Sequence, residues 1–159
     1  FTSLVWGQKG YQKFYHLTRN DGLSQSTVNC IIKDAEGYMW FGTNDGLNRY
    51  DGYSIKIYRN HPDDSTSLSN SKVYSIDEDK FGNIWIGTVD GLNKYSRSTD
   101  AFIRYHHEAV NAHSLSDNFI RTLLADKDKL YIGTLGGGLN ILDIKNNFLK
   151  RFNIVIYVD

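Results

Sequence analysis

Three stretches of this chain repeat one another in register, and that constrains its fold more than anything else in it. From Leu23 the chain reads LSQSTVNCIIKDAEGYMWFGTNDGLNRYD, from Leu68 LSNSKVYSIDEDKFGNIWIGTVDGLNKYS, and from Leu115 LSDNFIRTLLADKDKLYIGTLGGGLNILD. The Leu-Ser starts lie 45 and 47 residues apart, the Gly-Thr pairs at Gly42, Gly87 and Gly133 lie 45 and 46 apart, and the Gly-Leu-Asn triplets at Gly46, Gly91 and Gly138 lie 45 and 47 apart. Several independent landmarks therefore share one period.

Each repeat carries four short runs of β-branched and aromatic residues separated by turn residues. The first strand is predicted over Val28–Ile32, Val73–Asp77 and Ile120–Leu124, and the second over Met39–Thr43, Ile84–Thr88 and Leu130–Thr134. The third falls at Leu47–Tyr50, Leu92–Tyr95 and Leu139–Leu142, and the fourth at Ser54–Tyr58, Ala101–Tyr105 and Phe148–Phe152. Asp-Gly pairs such as Asp45-Gly46 and Asp51-Gly52 mark hairpins, because glycine takes a positive φ without a steric cost. Four strands in a period of roughly 40–50 residues are a β-propeller blade. A β-sandwich would also alternate strands and turns, but need not repeat its turns in register. The fold class expected is all-β: three four-stranded antiparallel blades, an incomplete propeller. The chain divides into an N-terminal segment over 1–22, blades over 23–67, 68–114 and 115–152, and a tail over 153–159.

The repeated residues read first as structure. Trp40, Trp85 and Tyr131 share one blade position, which suits packing between blades better than a stack of ligand platforms. Gly42, Gly87 and Gly133 follow two residues later, where a small residue lets backbones approach. Cys30 aligns with Ser75 and Thr122 and reads as a buried spacer, not a nucleophile. Asp34, Asp79 and Asp126 read as turn residues binding backbone N–H groups. The third repeat lacks the glycine found at Gly37 and Gly82, so its first turn is shorter.

Composition narrows the function classes. Lys plus Arg and Asp plus Glu are both 18, a net charge of zero, so no basic footprint for nucleic acid exists. Cys30 is the only cysteine, which excludes an intrachain disulfide. No apolar run reaches the roughly 20 residues of a membrane span. His16, His61, His106, His107 and His113 show no metal-ligand spacing and read as solvated loop residues, with His61 near the position of the His106-His107 pair. No local arrangement marks a nucleophile with its base, no Gly-rich turn leads into a phosphate-binding helix, and no catalytic residue, metal or cofactor is expected.

The pattern Leu-Ser-x-x-x-Val, then Asp-x-x-Gly-x-x-Trp-x-Gly-Thr, then Gly-Leu-Asn-x-Tyr resembles the two-component regulator propeller repeat, over about 14–152; Trp85 to Asn93 is especially typical. The resemblance implies the periplasmic sensor region of a hybrid two-component histidine kinase that answers to glycan breakdown products. It also implies that kinase and DNA-binding parts lie elsewhere. Phe14-Tyr15 then read as the outer strand of another blade.

Three blades leave two open faces. The expected partners are an oligosaccharide and either further copies of the chain or the remaining blades of a longer one; two copies would give six blades, a permitted ring. The β-prone tail Asn153–Asp159 is expected to pair as a strand within the chain or with another copy. Ligand contacts are expected on the face formed by the strand 2–3 turns and the blade connectors, at Asn44, Asp45, Arg59, Asn60, His61, Asp90, His106 and His107. The alternative is a scaffold for protein–protein interaction without direct sugar binding. An enzyme would instead need converging carboxylates in the channel.

Overall fold

In a computed structural model the chain is described over residues 17–152. After a short 3-10 turn at Arg19–Asp21, twelve strands follow: β1 (Val28–Lys33), β2 (Met39–Thr43), β3 (Gly46–Tyr50), β4 (Ile55–Tyr58), β5 (Val73–Glu78), β6 (Ile84–Thr88), β7 (Gly91–Ser96), β8 (Ala101–Tyr105), β9 (Ile120–Asp126), β10 (Lys129–Thr134), β11 (Leu139–Asp143) and β12 (Phe148–Phe152). They form three four-stranded antiparallel sheets in sequence order. The first strands lie side by side, β1 against β5 and β5 against β9, which makes them the inner strands of a radial array. The expected all-β blade architecture is therefore present, with strand ends within two residues of the expected ones. The Phe14-Tyr15 outer strand and the pairing of Asn153–Asp159 lie outside the described residues.

The sheets are held by two cores, each lying between blades. The first joins Trp40, Leu47 and Tyr58 of blade 1 to Leu68, Val73, Ile76, Ile84, Ile86, Tyr95 and Phe102 of blade 2. The second joins Trp85 and Leu92 of blade 2 to Leu115, Ile120, Leu130, Ile132, Leu142 and Leu149 of blade 3. Strand alternation explains the division: Trp40 and Gly42 point to one side of β2, Phe41 and Thr43 to the other. Both tryptophans are fully buried, so they are wedge fillers between blades, as their recurrence implied. Tyr131, at the same position on blade 3, is only half-buried.

The glycine two residues on is a packing requirement. A Cβ on Gly42 would lie 2.4 Å from Cys30 Sγ and 2.6 Å from Val73 of the next blade. On Gly87 it would meet Ser75 Oγ at 2.4 Å and Ile120 at 2.6 Å. Cys30 packs beside this contact, and burial pushes its thiol up to about 12, so it stays protonated at neutral pH.

Asp34 and Asp79 behave as expected and more. Asp34 accepts the Tyr38 N–H (2.9 Å) and the Trp40 indole N–H (2.8 Å); Asp79 accepts the Phe81 and Asn83 N–H groups (2.9 and 3.0 Å) and the Trp85 indole (2.7 Å). Asp126 departs from the expectation: it is exposed and ends β9. Its blade has Tyr131 in place of an indole N–H, and a two-residue loop, Lys127-Asp128, with Lys127 at φ 54°. No turn N–H groups remain for Asp126 to cap.

Candidate functional site

The strand 2–3 turns and the blade connectors share one face and are bonded across blades. The Gly46 N–H donates to Ser71 O and the Gly91 N–H to Asn118 O, both at 2.7 Å. This ties each turn to the connector entering the next inner strand.

The structure places the expected ligand residues on this face, six of them as equivalent pairs: Asp45 with Asp90, Arg59 with His106 and Asn60 with His107. His61 aligns with Glu108, directly after the histidine pair and so near its position, as expected. Arg59 donates to both Asp45 oxygens (3.2 and 3.0 Å), and the His106 ring lies 3.8 Å from Asp90. Asn60 donates its amide to Leu68 O (2.7 Å) and Ser69 O (3.1 Å). His107 Nδ1 lies 2.6 Å from Leu115 O, the carbonyl equivalent to Leu68 O, which requires the proton on Nδ1. Asn44 accepts from Asn29 at 3.0 Å, and its N–H donates to Gln25. His61 is exposed, with its backbone N–H donating to Ser67 Oγ.

Not every histidine is a solvated loop residue. His107 holds its connector, and His113 packs against Phe148 with ring centres 4.5 Å apart and planes tilted by 45°. Among the described residues no group of three or more His, Cys, Asp or Glu could hold a metal ion.

Two arginines make the connectors rigid. Arg104 donates to Ser67 O, Asp64 O, Ser67 Oγ and Leu68 O. Arg151 does the same for Ser114 O, Asn111 O, Ser114 Oγ and Leu115 O. Sequence reasoning passed over them, although the Arg-Tyr and Arg-Phe pairs at 104–105 and 151–152 repeat with the period.

The inner rim of the same face carries residues that local sequence does not single out. Each inner strand has a β-bulge at the same place, between Val28 and Cys30, Val73 and Ser75, and Ile120 and Thr122. The extra residue is Asn29, Tyr74 or Arg121, and bulges re-aim the side chain they carry. Asn29 donates to Asn44 and to Val73 O (2.8 Å). Tyr74 packs on Phe119 at 5.1 Å, and the Arg121 guanidinium lies 5.0 Å above the Tyr74 ring. The signal was that these three positions differ while their neighbours repeat.

Blades packed face to face through inter-blade cores, with turns and connectors gathered on one face, define a stretch of β-propeller. Residues 22–45 and 67–90 match the family model described as two component regulator propeller. It is 57% identical over 54 residues to Histidine kinase P4 of Formosa agariphila, a match covering 34% of this chain and 4% of that protein. Among solved structures it is similar to the extracellular domain of the hybrid two component system BT3049 of B. thetaiotaomicron, with 25% identity, a TM-score of 0.72, and coverage of 94% of this chain and 20% of that one. It is also similar to the extracellular domain of BT4673 of the same organism, at 27% identity and a TM-score of 0.63, covering 76% of this chain and 17% of that one. The chain thus spans a fifth or less of the length of these relatives.

Proposed function

We propose that the chain is a ligand-sensing propeller module in the extracytoplasmic, periplasmic part of a hybrid two-component sensor, and that it answers to glycan breakdown products. The observation that carries the reading is the similarity, over 94% of the chain, to the extracellular domain of a hybrid two component system. The face just described supports it: rigid connectors and turns hold side chains of both charges and several amides around an aromatic inner rim. Asn44, Asp45, Arg59, Asn60, His61, Asp90, His106 and His107 form the polar rim of that face. Signal output belongs to other parts of such a sensor. Among the described residues no helix is long and apolar enough to cross a membrane. A thermal-shift screen against diverse oligosaccharides tests the reading: a midpoint rise with at least one sugar is expected, and no shift at millimolar ligand contradicts it.

One observation favours a second role, docking of further blades. The side of blade 1 equivalent to the buried sides of blades 2 and 3 is uncovered: Val28 is 40% and Ile31 55% exposed, against 0% for Val73 and 7% for Ile76. At the other end, Leu124 (60%) and Phe148 (48%) of blade 3 are exposed beside Tyr131. These two surfaces are the halves of the contact already made twice inside the chain. In the 159-residue chain by itself, the occupant that fits each is the other end of a second copy.

A further inference from the structure

We propose that the inner rim of blades 2 and 3 is a site for an anionic sugar, with Tyr74 and Phe119 as the platform under the ring and Arg121 as the partner of its carboxylate or sulfate. The proposal rests on the sensing reading above and gives it a place and a ligand class.

Three observations converge. Tyr74 and Phe119 come from different blades, yet their ring centres are 5.1 Å apart and their planes tilted by 47°, so they form one aromatic pair across the blade junction. Neither belongs to the inter-blade cores, and both are partly exposed. The equivalent positions confirm that packing does not demand aromatics there: Asn29 and Arg121 match Tyr74, while Thr27 and Lys72 match Phe119.

Arg121 differs from the arginines that hold the scaffold. Arg59 and Arg97 pair with carboxylates, and Arg104 and Arg151 are spent on connector carbonyls. Arg121 is exposed and makes no ion pair or hydrogen bond among the described residues; its guanidinium is held 5.0 Å above Tyr74. A planar fork set over an aromatic ring, with its N–H groups unspent, suits a carboxylate or sulfate. A pyranose ring offers C–H groups to an aromatic surface while its substituents reach polar neighbours, of which Asn29 on blade 1 is one. The balanced charge of the chain argues against an extended polyanion.

Titration calorimetry on the whole chain tests this with a hexuronate disaccharide, its neutral hexose counterpart and inorganic sulfate. The hexuronate is expected to bind best, more weakly as salt rises. Arg121→Gln is expected to lower its affinity about tenfold or more, and Tyr74→Leu to weaken it as well. Lys150→Gln, a charge-matched change on β12, is expected to leave it unchanged. Unfolding midpoints of the variants check that each still folds. Hexuronate binding indifferent to Arg121→Gln and Tyr74→Leu overturns this site and leaves the sensing reading standing, as does a neutral sugar binding equally well. Sulfate binding as tightly as the disaccharide overturns the aromatic platform. Failure of every saccharide to bind overturns the site and the sensing reading together.

Discussion

The Arg97 guanidinium of blade 2 donates to the Asp34 carboxylate of blade 1 at 3.1 Å, on the same oxygen that accepts the Trp40 indole N–H at 2.8 Å. The Asp34 side chain is fully buried, while Arg97 is a quarter exposed and also reaches Glu36 and Glu78. One carboxylate thus caps a turn, orients the tryptophan between the blades and fastens a loop of the neighbouring blade. Asp34→Ala strands three donors and is expected to cost about 3 kcal/mol in urea unfolding. Arg97→Ala is expected to cost less, and the double variant less than the sum of the two, because they share one contact.

Glycine substitutions should separate blades 1 and 2, each followed by another blade, from blade 3. Gly42→Ala and Gly87→Ala each drive a methyl into a side chain of their own blade and into Val73 or Ile120 of the next. Each is expected to cost about 1–3 kcal/mol by overpacking. Gly133→Ala meets only Thr122, which is exposed, and should cost distinctly less. Thermal midpoints of the three variants check the order.

The Asp100 carboxyl gives a pH expectation. Burial pushes it up, but hydrogen bonds from Lys56, Tyr95 (2.6 Å) and Tyr58 (2.7 Å) outweigh that and hold it down at about 2. A carboxyl depressed on folding stabilises the fold above its ordinary value near 3.8, and that stability is lost as pH falls toward 2. Asp100→Asn should therefore lower stability at pH 7 and flatten its dependence between about pH 4 and 2, read by unfolding at a series of pH values.

The blade architecture was legible because its determinants are local and repeat: Asp45-Gly46 and its counterparts place the turns, and recurrence at one blade position gives Trp40 and Trp85 their role. What was not legible depends on pairing register or on the next blade. A bulge is a property of two strands, so neither Tyr74 nor Arg121 announces itself in its own strand. Asp34 and Arg97 lie 63 residues apart and meet only when the blades stack. Asp126 misled because it shares a position with Asp34 and Asp79 but not the turn they cap. Asn60 and His107 look unrelated as side chains, yet both donate to the carbonyl of the connector leucine.

The two uncovered blade faces carry an expectation about mass. The chain at micromolar concentration should self-associate in light scattering, and Ile31→Lys with Phe148→Lys should reduce the mass toward the monomer. A monomeric mass for the unaltered chain contradicts that role.

One face of this propeller segment is expected to receive a saccharide. Amide chemical-shift mapping during titration of the isotope-labelled chain with the best oligosaccharide tests it most directly. Perturbations are expected to gather at Asn29, Asn44, Tyr74, Asp90, Phe119 and Arg121. Perturbations confined to the opposite turns, such as Asp51–Ser54 and Arg97–Asp100, or none at millimolar sugar, would contradict it.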